Sequence, residues 1–163
     1  MSSSAAQPAY LSLAVAKLAA ALGEALLGVV LYGSYARGEA SEWSDVDLLV
    51  IARELPEGWY ERNIHLHQIL KQIPDAPDFS ILGKTPEEFE QHFPSLYLDI
   101  GLDGIVLFDR DGYMEGKLAR VREIIKQAGL VRQRLSKGTM FWNWDRKVTR
   151  QWAITWEGYR EFA

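Results

Sequence analysis

Apolar residues near the start of the chain recur first at helical and then at strand-like spacing. The helical set is Leu11, Val15, Leu18, Leu22 and Leu26. It predicts an amphipathic helix over residues 9–26, with Gly28 as its stop. A β-branched run at 29–32 then predicts a buried strand that ends at Gly33, and a second strand is predicted at 46–51.

Two more helices, a helix start at Thr85 and two more strands follow along the chain. The apolar spacing predicts helices at 60–73 and 115–128, and strands at 79–82 and 105–108. Elements in this order predict an α/β (α+β) fold for residues 1–129, with a small mixed sheet and flanking helices.

Two stretches between these elements carry acidic side chains. Thr85, followed by Pro86 and two glutamates, has the form of a helix start. Four aspartates further along lie in stretches that resemble loops; they are Asp99, Asp103, Asp109 and Asp111. We expect these four carboxylates to be exposed to solvent.

The composition changes after Gly129. Residues 130–163, the C-terminal extension, hold four of the six tryptophans and carry 7 Lys+Arg against 3 Asp+Glu, whereas residues 1–129 carry 11 against 19. Basic and aromatic side chains alternate there: Arg132, Arg134, Lys137, Phe141, Trp142, Trp144, Arg146, Lys147, Arg150, Trp152 and Trp156.

This extension has two interpretations. It could be a docking surface, on which nucleic acid stacks or a protein packs. Alternatively, its aromatic side chains complete the uncovered face of the sheet while Arg and Lys extend to water. We favour the second, an extension packed on the domain, because exposed tryptophan clusters are rare on soluble monomers.

The whole composition is that of one compact domain with an appendage. The chain has 163 residues, 48% of them hydrophobic, and no cysteine, so it forms neither disulfides nor thiolate metal sites. The Ala- and Leu-rich stretch 9–30 is interrupted by Lys17 and Glu24, and no basic residue precedes it in residues 1–4. We therefore expect no membrane segment and a cytoplasmic protein.

The turn after the first predicted strand has features of a phosphate-binding turn. Glycine at position 33 lets a phosphate approach the backbone closely, and Ser34 adds a hydroxyl donor. A helix that started here would also offer unpaired backbone N–H groups to an anion.

Asp45 and Asp47 follow at the start of the next strand. Side chains two residues apart on a strand point to the same face, so these carboxylates repel each other unless a hard cation lies between them. Mg²⁺ prefers few carboxylates together with phosphate oxygens. The pair therefore predicts a metal that orients a triphosphate, stabilises developing charge and lowers the pKa of an attacking hydroxyl.

The two motifs together are more specific than either alone. An Asp-x-Asp pair usually marks solvated carboxylates or a cap, and Gly-Ser usually marks a turn. Here Gly33-Ser34-x-x-Arg37-Gly38 is followed by Ser44-Asp45-x-Asp47-Leu48. This arrangement resembles the signature of the DNA polymerase β-like nucleotidyltransferases, and most closely their minimal nucleotidyltransferase (MNT) type. The resemblance covers about residues 9–108.

The resemblance implies the nucleotidyltransferase fold and a role for each motif residue. Gly33 and Ser34 would hold the triphosphate of ATP or another NTP. Asp45 and Asp47 would be catalytic residues that bind Mg²⁺, as two ions. The third carboxylate of the family comes from a later strand, and it binds metal and helps to deprotonate the attacking hydroxyl.

Asp78 is the best match for this third carboxylate, because it directly precedes the strand predicted at 79–82. Asp75 is the rival, although a turn beside Pro74 accounts for it better. Without Asp78 beside Asp45 and Asp47, the prediction would be reduced to nucleotide binding.

Two further residues are candidates for nucleotide binding. Arg37 could bind a phosphate through two hydrogen bonds, or it could pair with Glu39 or Glu42. Ser44 could orient Asp45, or it could simply close a turn. The histidines His65 and His67 would face different directions on a helix, which is a poor geometry for a metal site.

The predicted activity is transfer of a nucleoside monophosphate, AMP from ATP, to a hydroxyl acceptor. Proteins of the MNT type often act beside a helical HEPN-type protein in toxin–antitoxin pairs, so the resemblance implies such a partner and a protein acceptor. Two alternatives stay open: a weakly catalytic or non-catalytic nucleotide-binding antitoxin that masks its partner, and a transferase acting on small molecules such as aminoglycosides. Nucleic acid is a less favoured partner, because residues 1–129 are acidic.

Overall fold

A four-stranded sheet lies at the centre of the computed structural model, which describes residues 7–135 and 139–162. Its strands are β1 (Leu26–Tyr32), β2 (Val46–Ala52), β3 (Phe79–Lys84) and β4 (Ile105–Asp109), in the spatial order β3-β2-β1-β4. Strands β2 and β3 are parallel, whereas β1 is antiparallel to both of its neighbours. The predicted mixed sheet is confirmed. Residues 1–4 and Lys137, used in the sequence argument, lie outside the described residues.

Helices cover both faces of this sheet. In the described part of the chain they are α1 (Ala9–Leu22), α2 (Gly33–Arg37), α3 (Trp59–Ile69), α4 (Pro86–Gln91), α5 (Leu96–Asp103) and α6 (Tyr113–Ala128). Val46, Leu48 and Val50 of β2 pack in one apolar cluster with residues of α1 and α3. Leu49 and Ile51 pack in another with residues of α4, α5 and α6. The strand period of two thus fills both layers.

No helix within the two described ranges is both long and apolar enough to cross a membrane.

The predicted start of α4 is confirmed by its capping box. Thr85 Oγ1 accepts a hydrogen bond from Glu88 N (3.3 Å), Glu88 Oε1 accepts one from Thr85 N (2.9 Å), and Pro86 is the first helical residue. The Glu88 carboxylate also accepts a hydrogen bond from the buried Arg62 of α3 (Nη1–Oε1 2.8 Å). This contact connects α3 to the segment that follows β3.

The end of the first helix differs from the prediction. α1 stops at Leu22, because Gly23 takes a left-handed φ of 57° and starts a short 3-10 turn. Leu26 then begins β1, so the predicted helix over 9–26 is four residues too long. Gly28 is not a stop; it lies inside β1, where a Cβ would come within 2.1 Å of Met114 Cγ of α6.

The helix α5 was not predicted, because its sequence imitates a strand. Leu96, Leu98, Ile100 and Leu102 alternate with other residues, although the buried positions follow a helical spacing: Tyr97, Leu98, Ile100 and Gly101. The expectation that Asp99 and Asp103 are solvated loop residues is therefore wrong. Both lie on α5 and form ion pairs with Arg132.

Asp109 is also more than a loop residue. It ends β4, and its carboxylate accepts hydrogen bonds from the first backbone N–H groups of α6, those of Met114 (2.9 Å) and Glu115 (3.1 Å). Asp111 is exposed in the turn between them, as expected.

The C-terminal extension forms two β-hairpins. One pairs β5 (Leu130–Arg134) with β6 (Met140–Trp144), and the other pairs β7 (Gln151–Thr155) with β8 (Gly158–Phe162). Their apolar side chains pack on the helices rather than on the sheet directly. Leu130, Trp142 and Trp144 join a cluster with residues of α5 and α6, and Trp156 packs against Phe89 of α4.

Candidate active site

The candidate site lies where β1 ends and β2 begins. Tyr32, the last residue of β1, pairs with Asp47 of β2, and Gly33 begins α2. Gly33 has a φ of 74°, and a Cβ at this position would lie 2.1 Å from Asp47 Oδ2. Glycine is required here for two reasons, the left-handed backbone and the close approach of a carboxylate.

Three carboxylates come into a row at the adjoining ends of β2 and β3. In this parallel pair Val46 is opposite Phe79 and Asp47 is opposite Ser80. The backbone N–H of Val46 donates to the carbonyl oxygen of Asp78 (2.8 Å). Continued by one residue, the register places Asp45 beside Asp78. Asp47 and Ser80 are in register and share one face of the sheet. If the same register continues one residue before the strands, Asp45 and Asp78 share that face as well.

None of these side chains is neutralised by a direct ion pair in the part of the chain that the structure describes. Asp45 and Asp78 are exposed, and Asp47 is partly buried. The described residues contain no group of three or more acidic, His or Cys side chains already converged as a metal cage. The carboxylates are therefore adjacent in register without closing on one point.

The electrostatics of Asp47 favour a cation at this place. Burial raises the pKa of its carboxyl, the neighbouring Asp45 raises it further, and Arg37 opposes both. Burial, followed by the charge of Asp47, also raises the pKa of Tyr32 to about 12, so its phenol stays neutral. Oxygen ligands with excess negative charge, beside a backbone held close by Gly33, fit a hard cation such as Mg²⁺.

The segment 33–38, called the signature turn below, is folded as one short helix and its cap. The carbonyl oxygen of Ser34 accepts a hydrogen bond from Glu39 N (2.9 Å), and Gly38 closes the helix with a left-handed φ of 71°. The carbonyl oxygens of Ser34 and Tyr35 are thus engaged by the cap, and Ser34 itself lies in the first turn beside Gly33. Triphosphate binding by Gly33 and Ser34 stays a prediction.

Arg37 and Ser44 have protein partners in this structure. Arg37 donates to Glu39 (Nε–Oε2 3.2 Å) and to Asp103 of α5 (Nη1–Oδ2 3.4 Å). Ser44 closes the turn before β2, since its Oγ accepts a hydrogen bond from Ser41 N (2.9 Å). The positive charge of Arg37 therefore acts on the nearby Asp47, where it opposes the rise in pKa that burial and Asp45 cause. The Ser44 hydroxyl is instead hydrogen-bonded within its own turn.

Asp75 and the two histidines of α3 lie outside the row of three carboxylates. Asp75 is exposed in the turn after α3, with a φ of 61°, and is three residues outside the register that aligns Asp78. His67 contacts the carbonyl oxygens of Asn63 (2.9 Å) and Phe79 (3.1 Å), and His65 is exposed on the same helix.

Sequence reasoning missed three residues near the site. Ser80 adds a hydroxyl opposite Asp47, a placement that only the strand register reveals. Asp103 and Arg132 contact each other beside Arg37. The one available signal was the helical spacing in residues 96–103, which competed there with strand-like alternation.

Comparisons with known proteins identify the family of the domain. Residues 15–107 match the model of a nucleotidyltransferase domain. Over 112 residues the chain is 35% identical to a Methanocaldococcus jannaschii protein named "Putative protein adenylyltransferase", a match that spans 64% of this chain and 74% of that protein. A second protein of that name and organism is 57% identical over 28 residues, 17% of this chain and 28% of its own length.

Solved structures share the fold at low sequence identity. A crystal structure of a toxin–antitoxin with AMP-PNP has a TM-score of 0.51 at 19% identity, covering 71% of this chain and 86% of that one. The toxin–antitoxin MntA-HpeT mutant-D39ED41E also has a TM-score of 0.51, at 18% identity, covering 69% and 85%. At these identities the likeness shows a common fold.

Proposed function

The chain belongs to the nucleotidyltransferase domain family, and we propose that it transfers AMP from ATP to a hydroxyl group of a protein partner. The observation that carries this proposal is the row of carboxylates. Asp45 and Asp78 directly precede β2 and β3, whose first residues Val46 and Phe79 are paired, and Asp47 lies two residues from Asp45. We therefore propose Asp78 as the third carboxylate of the site.

In the proposed reaction, Gly33 and Ser34 bind the triphosphate and Arg37 approaches its phosphates. Asp45, Asp47 and Asp78 would hold Mg²⁺, as two ions, which would neutralise charge on the phosphates and on the attacking oxygen. The acceptor hydroxyl loses its proton to the Asp78 carboxylate while its oxygen forms a bond to the α-phosphorus. The bond from the α-phosphorus to the bridging oxygen breaks, and pyrophosphate leaves with that electron pair.

The choice of ATP and of a protein acceptor comes from the relatives. The curated protein that is 35% identical is named as a protein adenylyltransferase, and one protein of similar fold was crystallised with AMP-PNP in a toxin–antitoxin complex. We therefore propose a HEPN-type toxin as the partner and the cytoplasm as the place of reaction. The acidic body of residues 1–129 disfavours nucleic acid as acceptor.

Pyrophosphate release tests the transfer step. Purified protein is incubated with ATP, Mg²⁺ and a co-expressed HEPN-type protein, and release is followed with and without the acceptor. We expect release that requires Mg²⁺ and the acceptor, and that disappears in Asp47→Asn. No release with any protein or aminoglycoside acceptor would refute the proposal.

A second outcome identifies the alternative of a masking antitoxin. If the partner stays bound at one-to-one stoichiometry in Asp45→Asn and Asp47→Asn, and its toxicity is neutralised equally well, binding alone performs the function. Release that depends on an aminoglycoside, and not on a protein, would instead identify a small-molecule transferase.

A further inference from the structure

Arg37 of the signature turn lies between two carboxylates, and each of these is also held by an arginine of β5. Arg37 contacts Glu39 and Asp103 at 3.2 and 3.4 Å. Arg134 Nη2 contacts the other oxygen of Glu39 (2.5 Å), and Arg132 donates two hydrogen bonds to Asp103 (2.6 and 2.8 Å). The C-terminal extension thus reaches both acidic partners of Arg37.

Asp103 is held more firmly by Arg132 than by Arg37. Arg132 binds both of its oxygens in a bidentate pair, whereas Arg37 makes one long contact to an oxygen that Arg132 already occupies. The Asp103 side chain is only 10% exposed, and little water competes for it. Bidentate, charge-assisted pairs of this geometry are the stronger ones.

The hairpin that carries Arg132 is fixed on α5. The Arg132 guanidinium lies 5.7 Å from the centre of the Trp142 ring, and both side chains donate hydrogen bonds of 3.1 Å to Asp99 Oδ1. Trp142 also packs in the apolar cluster formed by α5, α6 and β5. Arg132 therefore stands in a defined place rather than at the end of a free chain.

The charges explain what this contact does. Without β5, Arg37 would face Glu39 and Asp103 alone, one positive charge against two negative charges, close to a site that must accept a triphosphate. Arg132 and Arg134 balance those carboxylates. Hydrogen bonds from Arg134 and then Arg37 hold the pKa of Glu39 below its ordinary value, so this carboxylate stays charged.

We propose that Arg132 and Arg134 are positioning residues, which hold Asp103 and Glu39 and so leave the Arg37 guanidinium available to the phosphates of the nucleotide. The inference rests on the proposed function, because it takes the nucleotide as the ligand of the signature turn. This role falls to the extension, which lies outside residues 15–107, the part of the chain that matches the nucleotidyltransferase domain.

Equilibrium binding of AMP-PNP with Mg²⁺ tests this inference without turnover. Arg134→Gln is the first variant, because its side chain is 50% exposed and its loss should not disturb folding. We expect the dissociation constant for AMP-PNP to rise about fivefold. This is the effect of losing the charge-assisted contact between Arg37 and the phosphates when water replaces part of it. Adding Glu39→Gln should restore affinity to within about twofold, since the carboxylate that captures Arg37 is then neutral.

Arg132→Gln with Asp103→Asn repeats the test at the second carboxylate. Arg160→Gln is the matched control and should leave affinity unchanged, because the one ion pair of Arg160 among the described residues is with exposed Glu157 (3.4 Å). In turnover, KM for ATP should rise in Arg134→Gln while kcat stays within about twofold. Thermal unfolding reports whether Arg132→Gln folds. If it does not fold, the binding measurements on Arg134→Gln, with and without Glu39→Gln, decide the test.

Two results would overturn the inference. One is an unchanged affinity of Arg134→Gln for AMP-PNP, and the other is a lower affinity that adding Glu39→Gln does not bring back. The second would mean that Arg134 has only a structural role. Failure of the proposed transfer is distinguishable, because pyrophosphate release would then be absent from the wild-type protein while AMP-PNP binding could still respond to Arg134→Gln.

Discussion

The row of carboxylates at the sheet and the C-terminal extension differ in how their charges are paired. At the sheet, Asp45, Asp47 and Asp78 lie side by side, and none of them forms an ion pair within the described residues. In β5, Arg132 and Arg134 are paired with carboxylates of the body. Neighbouring carboxylates without ion pairs indicate a binding site whose ligand supplies positive charge. Arginines in ion pairs indicate instead a structural role, in which they hold other side chains in position.

Removing one unpaired carboxylate should give the largest effect. Asp47→Asn is expected to lower the rate of AMP transfer about a thousandfold, because it removes a ligand of the cation that stabilises the transferred phosphate. Initial rates with ATP and Mg²⁺ measure the effect, and Asp111→Asn, an exposed turn residue, is the control. A rate within about tenfold of wild type would mean that Asp47 binds no essential metal.

Asp78→Asn separates proton transfer from binding. We expect kcat to fall about a hundredfold, the ordinary contribution of a general base, with a smaller change in KM for ATP. Asp75→Asn is the matched control, since Asp75 lies in the same connection but outside the register, and asparagine tolerates its φ of 61°. Equal losses in both variants would show that Asp78 has been assigned the wrong role.

The extension should respond in stability rather than in kcat. Trp156 packs against Phe89, Phe93 and Tyr97, and its Nε1 donates to the carbonyl oxygens of Phe89 and His92 (both 3.0 Å). Trp156→Ala should lower the free energy of unfolding by about 2 kcal/mol, less than for a fully buried tryptophan.

Denaturant unfolding measures this loss, with the half-exposed Trp152→Ala as control at less than about 1 kcal/mol. The kcat per folded molecule should not change. A Trp156→Ala variant as stable as wild type would mean that the extension is not packed on the domain in solution.

The smallest effect concerns the stability of the metal-free site. Because burial and Asp45 raise the pKa of Asp47, the folded protein binds this proton more tightly than the unfolded chain does. The contribution of Asp47 to stability is therefore present at low pH and lost as the pH rises through the raised pKa. With a chelator present, Asp47→Asn should become the more stable protein towards neutral pH.

Thermal unfolding of both proteins from about pH 4 to about pH 8 checks this sign, since the range spans the titration of a raised aspartate. If the melting temperatures of the two proteins run parallel over this pH range, folding does not raise the pKa of Asp47.

The sequence predicted the sheet well, because each strand is a short local pattern. The four strands and the start of α4 at Thr85 and Pro86 depend on neighbours within a few positions. The end of α1 was misplaced because Leu26 suits the helical spacing and also the buried strand. Gly28 lies inside β1, paired with Ile51 and Asp109, and the packing of Met114 leaves no room for a Cβ at this position.

The site was only partly predictable for the same reason. Gly33, Asp45 and Asp47 lie within one strand–turn–strand unit, and their spacing indicates their chemistry. The alignment of Asp45 with Asp78 depends on strand register, and the contact of Arg134 with Glu39 joins residues 95 positions apart. No local pattern specifies such pairings: the first arises when β3 pairs with β2, and the second when the hairpin packs on α5 and α6.

Intact-mass measurement of the partner tests the central claim most directly. A co-purified protein partner is incubated with ATP and Mg²⁺ in the presence of wild-type protein, Asp47→Asn or Asp75→Asn. We predict a mass increase of one or more AMP groups with wild type and Asp75→Asn, and none with Asp47→Asn or with chelator. An unmodified partner in every reaction, or equal modification by Asp47→Asn, would contradict nucleotidyl transfer at Asp45, Asp47 and Asp78.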